Sequence, residues 1–391
     1  MAVLILLVIF AFGLVYPIVI YPALLAIFSR AFSRKVKADS DFCPDINIII
    51  AAYNEEKYIA RALESIVNSD YPPEKIHVLL GSDGSNDGTV RVAESFKTAL
   101  HSLEVFDFAR MGKNNVINEL ETKATCEFVF FMDADFRLHA DTLRQSAKYF
   151  ADQQVTGVMS RLRIVVLENG GEGAQGEGAY QQFERLLKMK ESAIWTTVNN
   201  FGFYGVRRAC LRPIPNANVC DDMYNVLSAS LAGGRMVFAN ESEVDEVREK
   251  SVGEELHRRI RLAAGGLSTS FAVGELFNPC RGWVSWFFLS HKFSRYLFPL
   301  CMLGMIILTP LIPNTYSDCF VLLASVQGAF YLLALLGWLF EKFGLHSKLF
   351  SFPYFFLVIN AGVFLGIMRF LSGKQNSVWE RIDTRKAAPR R

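Results

Sequence analysis

At 391 residues the chain is too long for a single ordinary domain. Its hydrophobic fraction of 51% and mean hydropathy of +0.22 are high for a wholly soluble protein. A net charge of +2 gives no nucleic-acid footprint, and seven scattered cysteines without a C-x-x-C pair support neither a zinc site nor a redox motif.

The chain opens on an uncharged apolar run from Ala2 to Phe28, longer than the core of an ordinary signal peptide. Arg30, Arg34, Lys35 and Lys37 follow it, so the positive-inside bias puts the N-terminus outside and the next segment in the cytoplasm. Residues 46–52 read as a buried strand, and Tyr53-Asn54-Glu55-Glu56 opens a helix to about Asn68 with Asn54 as its N-cap. A second strand, Ile76 to Leu80, ends in a turn dense in Gly, Asp and Ser over 81–89. A helix from about Val90 to Leu100, a strand from Leu103 to Phe106, a helix from Lys113 to Thr122 and a strand over 127–132 follow. This alternation predicts an α/β domain with a mostly parallel, doubly wound sheet.

The last of these strands ends in Asp133-Ala134-Asp135. Open α/β sheets place ligands at the C-terminal edge of their strands. Two carboxylates at i, i+2 there can share one hard divalent cation with phosphate oxygens. Further on, the Gly-rich stretch Asn169 to Gly178 reads as a mobile loop. Gly282 to Phe298 is aromatic-rich but interrupted by His291, Lys292 and Arg295, as in an interfacial segment. Three apolar runs near bilayer length then cover about 297–312, 319–340 and 349–368.

The predicted order is a transmembrane helix (1–29), a cytoplasmic domain (30–280), an interfacial segment (281–296), a transmembrane region (297–372) and a basic tail (373–391). Three crossings after the domain would leave the tail (Lys374, Arg381, Arg385, Lys386, Arg390, Arg391) outside, against the positive-inside bias.

The segments Ala52-Tyr53-Asn54-Glu55, Ser82-Asp83-Gly84-Ser85-x-Asp87-Gly88-Thr89, Gly112-Lys113 with Asn118, and Asp133-Ala134-Asp135 resemble the family 2 glycosyltransferases. Asp221-Asp222 resembles that family's acidic catalytic pair. Arg258-Arg259-Ile260-Arg261-Leu262 resembles the Q-x-x-R-W segment of its membrane-bound members, such as cellulose, hyaluronan and poly-N-acetylglucosamine synthases. His291-Lys292 before an apolar run and Trp379 near the basic end add to the likeness.

The resemblance implies a GT-A domain: a nucleotide-diphospho-sugar transferase fold with a Rossmann-like mixed sheet, here joined to transmembrane helices. It also implies a UDP-sugar donor, Mg²⁺ or Mn²⁺, and a location in the inner membrane with the catalytic domain cytoplasmic. Asp83 would accept a hydrogen bond from the base, with Ala52, Tyr53 and Glu55 lining base and ribose and Lys113 near the diphosphate. Asp135 would bind the metal, and Asp133 the metal or the donor ribose and sugar. Arg258 and Arg261 would form a second clamp on phosphate, since guanidinium presents a planar fork of donors.

Asp222 is the expected base for the acceptor hydroxyl, with Asp221 beside it. The register between the two is open by one residue, and the pair also fits an N-cap of the following helix. Leu262 stands where processive synthases carry Trp, so single addition to a lipid or saccharide acceptor is favoured over polymer extrusion. Trp195, Phe201, Phe203 and Tyr204 are alternative aromatic surfaces for that acceptor. A nucleotidyltransferase or a degenerate membrane scaffold are the readings of another class. Membrane lipids are expected neighbours and nucleic acid is not.

Overall fold

The computed structural model describes residues 1–166, 173–199, 202–215, 218–248, 252–345 and 347–373. Eight strands make one sheet: β1 (Ile46–Ala52), β2 (Ile76–Asp83), β3 (Ser102–Phe108), β4 (Phe128–Phe131), β5 (Phe136–Leu138), β6 (Val155–Val166), β7 (Tyr204–Arg207) and β8 (Arg235–Arg248). Their order is β3-β2-β1-β4-β7-β6-β8-β5.

All seven residues of β1 are buried, as its unbroken apolar run requires at the centre of a sheet covered on both faces. Ile46, Ile48, Ile50 and Ala52 face one layer with helix α2 (Glu56–Val67), while Ile49 and Ala51 face the other with helix α4 (Lys113–Lys123). Asn47 is buried between them, and its Oδ1 accepts from the amides of Thr125 and Cys126 at 3.0 and 2.8 Å.

The sheet is mostly parallel, as expected: β6 pairs parallel with β8 and both run in the direction of β4, so only β7 and β5 are reversed. β3, β2, β1 and β4 are parallel, whereas β7 runs antiparallel to both β4 and β6, and β5 antiparallel to β8. Residues 132–135 are too short a link for a parallel crossover, so β5 leaves β4 and pairs at the far edge. That link carries Asp133 and Asp135, and the departure of the chain sets both carboxylates at the opened edge.

Local boundaries also moved. Helix α3 is only Thr89–Glu94, with bends and turns where its continuation to Leu100 was expected. Asn54 does not cap α2: its φ of 55° is left-handed, and its Oδ1 instead accepts from the Asn86 amide at 2.9 Å, tying two ligand-edge loops together. After helix α5 (Thr142–Ala147), helix α6 (Gly173–Ile194) takes in residues 173–178, so the described part of the Gly-rich stretch is helical. The remainder of that stretch, Phe201, Trp379 and the basic tail lie outside the described residues.

Among the described residues, four helices are long and apolar enough to cross a membrane: α1 (Ala2–Ala31), α9 (Trp283–Leu311), α10 (Ser317–Lys342) and, within α11 (Lys348–Leu371), residues Leu349–Leu371. α1 and α9 enter the domain core, since Tyr21, Leu25, Phe287 and Phe288 are fully buried in the cluster that also holds Val226 and Leu227 of helix α7 (Asp221–Leu231). Buried charge locks this junction. Glu191 accepts from Tyr21 Oη at 2.6 Å and Thr197 Oγ1 at 3.0 Å, and lies 2.5 Å from His291 Nδ1. Glu184 meets His291 Nε2 at 3.2 Å and Arg295 at 2.5 Å. Buried carboxylates are tolerable because each is matched by cations and hydrogen bonds.

Candidate active site

Lys113 stands at the first turn of α4, where a cation is mildly unfavourable. Gly112 before it has φ 92° and turns the chain so that the side chain reaches across the sheet edge. Lys113 Nζ lies 2.7 Å from Asp133 Oδ1 and 3.0 Å from Asp221 Oδ2. Burial opposes its charge, but the two carboxylates outweigh burial and hold the ammonium well above its usual range. One lysine thereby joins the β4 loop to the start of α7. These residues and Asp222, with Gly202 and Tyr204, line a cavity of about 20 Å³ at the sheet edge, room for a single water.

Neither aspartate caps α7. Its N-cap is Cys220, which makes no side-chain cap bond; Asp221 is spent on Lys113, and Asp222 Oδ1 accepts from the Met223 amide at 2.7 Å. Burial raises the Asp222 carboxyl, and the charge of Asp221 adds to it, against the pull of Lys113 and Lys292; the net result is a value pushed up to about 6. A carboxylate poised there can both accept and release a proton near neutrality.

Asp135 is raised further, to about 8, first by burial and then by the charges of Asp133, Glu246 and Glu55. Four acidic side chains, two from the β4–β5 link, one from the start of α2 and one from β8, thus concentrate negative potential at one point. Among the described residues no three acidic or imidazole side chains form a ready-made metal cage. Such a donor set fits a hard cation held by one or two carboxylates and completed by phosphate oxygens. Glu246 had no local signature; it arrives because β8 registers Glu246 opposite Phe136.

The expected base-binding residue is differently occupied. Asp83 is fully buried, and its carboxylate accepts from Arg110 Nη1, from the Met111 amide at 2.7 Å and from the Gly112 amide at 2.9 Å. The Arg110 guanidinium lies over the Tyr53 ring, 3.4 Å from its centroid. A carboxylate has about four acceptor positions, so with these three donors in place Asp83 has room for one more. Ala52 is fully buried in the core, leaving its main chain alone to serve a ligand. Glu55 is buried, and its amide donates to Thr89 Oγ1 at 2.8 Å. Asn118 is a backbone clamp, bonded both ways to Ile214 at 2.9 and 3.0 Å, because its amide faces a passing main chain.

Gly84 is where this loop is least forgiving. Its φ is +67°, and a Cβ would sit 2.9 Å from the Arg110 amide nitrogen. Gly84→Ala is expected to destabilise the domain by about 1–3 kcal/mol, read as a lowered denaturation midpoint.

Helix α8 (Val252–Ala272) carries the two remaining candidates to another place. Arg258 lines a larger cavity of about 210 Å³ together with Leu262, Tyr180, Lys188 and Phe238, and Arg261 is exposed on the helix. Neither lines the small cavity of Asp133 and Asp222. Of the aromatic candidates, Phe203 is buried and stacked on Phe130, and Trp195 packs between Arg34 and Arg235; both belong to the scaffold. Tyr204 lines the small cavity, and Asn225 Nδ2 donates to its hydroxyl at 3.2 Å.

A mixed sheet with a buried loop aspartate, an Asp-x-Asp link and an acidic pair at one edge is that of a glycosyltransferase with a GT-A-type fold. Residues 47–214 match the family described as Glycosyl transferase family 2. It is 25% identical over 227 residues to Glycosyltransferase AglE of Haloferax volcanii, covering 57% of this chain and 73% of the relative. It is 28% identical over 152 residues to beta-monoglucosyldiacylglycerol synthase of Synechocystis, covering 37% of this chain and 32% of the synthase. In fold it is similar to a mannosyltransferase of Pyrobaculum calidifontis solved with GDP-Man and Mn²⁺, with a TM-score of 0.72 and 19% identity over 95% of this chain and all of that one.

Proposed function

We propose that this glycosyltransferase moves a sugar, with inversion, from a UDP-sugar to a lipid-linked or saccharide acceptor at the cytoplasmic face of the cell membrane. The supporting observation is the Lys113 bridge: it holds the acidic pair of α7 within one salt-bridge chain of the Asp-x-Asp link, so Asp222 and Asp133 share one cavity.

In this reading Asp222 takes the proton from the acceptor hydroxyl as its oxygen attacks the anomeric carbon, and the bond from that carbon to the diphosphate breaks on the opposite face. A single base with direct attack inverts the anomeric centre. Asp221 keeps Lys113 in place, and Lys113 offsets charge beside the departing diphosphate. Asp135, with Asp133 beside it, would hold Mg²⁺ or Mn²⁺, which when bound supplies Lewis-acid stabilisation of the leaving phosphate. Because Lys113 already occupies Asp133, Asp135 is the metal ligand and Asp133 the contact to ribose or sugar. Tyr53 and Asp83 hold the base, Glu55 and the Ala52 main chain hold the ribose, and Arg258 and Arg261 add positive charge from α8.

Single addition is favoured over extrusion of a polymer. Leu262 lines the larger cavity, where an aliphatic side chain offers no ring to stack a growing sugar chain. A panel of UDP- and GDP-sugars, read as nucleotide released by the full-length enzyme with Mn²⁺, tests the donor. One UDP-sugar is expected to be turned over and GDP-mannose refused. Turnover of GDP-sugars alone would overturn the uracil assignment. Partition of the labelled product into organic solvent separates lipid from polymer.

A further inference from the structure

We infer that Asp245, in β8, is a positioning residue for the cation site: it ties β5 to its neighbours and so fixes where Asp135 stands. This deepens the proposed transfer and rests on Asp135 as the metal ligand. The two carboxylates of the Asp-x-Asp link are held differently. Asp133 is fixed by Lys113 at 2.7 Å. Among the described residues, no other side chain hydrogen-bonds or pairs with the Asp135 carboxylate. Its place is therefore set by the main chain on either side. Upstream, the Met132 amide donates to the Ile49 carbonyl at 3.0 Å. Downstream, Asp135 leads directly into β5.

β5 has little ladder of its own to secure it. It is three residues long and lies at the end of the sheet beside β8. Phe136 and Leu138 bury their side chains in the core, which puts Arg137 on the opposite face. On that face the register of β6, β8 and β5 brings Arg163, Asp245 and Arg137 into one cross-strand row. Asp245 is fully buried at the centre of the row. Its carboxylate accepts from Arg137 Nη2 at 2.5 Å and from Arg163 Nε and Nη2 at 2.7 and 3.1 Å. His139, just past β5, adds its Nε2 at 3.1 Å. Burial opposes the charge of Asp245, but these bonds outweigh it and hold the carboxyl down at about 2. One carboxylate thus grips the β5 segment at two points and β6 at a third.

The same stretch of β8 serves the site directly. Glu246, the next residue, registers opposite Phe136, which follows Asp135. A slip of β5 against β8 would therefore move Asp135 relative to both Glu246 and Asp133. Groups standing behind metal ligands act in this way, by fixing a ligand's orientation without touching the ion.

Mn²⁺ binding to the full chain in maltoside micelles, read from the EPR signal of the free ion, tests this without donor or turnover. Asp245→Asn and Arg137→Met are each expected to weaken Mn²⁺ by about tenfold. Arg137 is half-exposed, so Arg137→Met stays informative even where Asp245→Asn does not fold. The pair also separates position from charge. Asp245→Asn leaves two guanidinium groups uncompensated, whereas Arg137→Met leaves extra negative charge, so a purely electrostatic effect would weaken Mn²⁺ in the first and tighten it in the second. Arg161→Met is the control for lost stability: Arg161 pairs with Glu243 at 2.5 Å between β6 and β8, and should leave Mn²⁺ affinity unchanged. Parent-like affinity in Asp245→Asn and Arg137→Met, whatever their Tm, would overturn the inference. So would tighter binding in Arg137→Met, or an equal loss in Arg161→Met. If Asp135→Asn takes up Mn²⁺ as the parent does, the metal reading itself fails, and the inference with it.

Discussion

Asp222→Asn lowers turnover by about 10²–10⁴-fold while UDP affinity stays within about twofold of the parent. The amide keeps the shape of the side chain and the contact with the Met223 amide, but it cannot accept the acceptor's proton. The parent enzyme carries a second signature. A base works only when deprotonated, and the Asp222 carboxyl is raised to about 6 by burial and by Asp221. Activity should therefore climb with pH through about 6 and level off above it. Lys113 is one of the charges pulling that value down, so Lys113→Met moves the acidic limb to higher pH. Asp221→Asn acts in the opposite direction, because it removes the carboxylate that raises Asp222. Full activity in Asp222→Asn would sink the base assignment. Loss of activity in Asp221→Asn alone would move the base by one residue.

The N-terminal parallel strands of the domain and the identity of its carboxylates could be read directly, because a strand buried on both faces leaves an unbroken apolar run and its ligands follow at one end. β1, β2 and β4 carry that mark. β6, β7 and β8 were not read as strands, since their pairing, antiparallel for β7 and parallel between β6 and β8, joins segments distant in sequence. The same distance hid the partners of recognised residues. Asp83 was legible as a turn aspartate, whereas Arg110 over Tyr53 was not, because that contact joins two loops across the sheet edge. Glu184 and Glu191 did leave a trace: seven residues apart, they share one face of α6 and meet His291 together. Asn118 misled because an amide on a helix face serves main chain and ligand equally well.

Asp135→Asn is expected to move stability and activity in opposite directions. In EDTA, Asp135 pays for its position: its folded value near 8 lies far above the 3.8 of an ordinary aspartate, so the folded state holds its proton more tightly than the unfolded chain. That difference removes stability as pH rises from about 4 to about 8. An amide does not titrate, so the variant's advantage should be small at pH 5 and largest at pH 8. Allowing for shared charge with Asp133, a gain on the order of 1–2 kcal/mol at pH 8 corresponds to about 3–6 °C in apparent Tm. Divalent cation reverses the ranking. Mn²⁺ at about 100 times its Kd stabilises a protein that binds it only when folded by about 2.7 kcal/mol. The parent should show that shift, and Asp135→Asn should not. Sugar transfer should fall by about 10³-fold or more in the variant, and equally in the parent with EDTA, because the departing diphosphate would lose its neutralising partner. If Asp135→Asn proves less stable than the parent in EDTA at pH 8, the four carboxylates are not in electrostatic conflict. If its Tm still rises with Mn²⁺, the cation is held elsewhere than at Asp135.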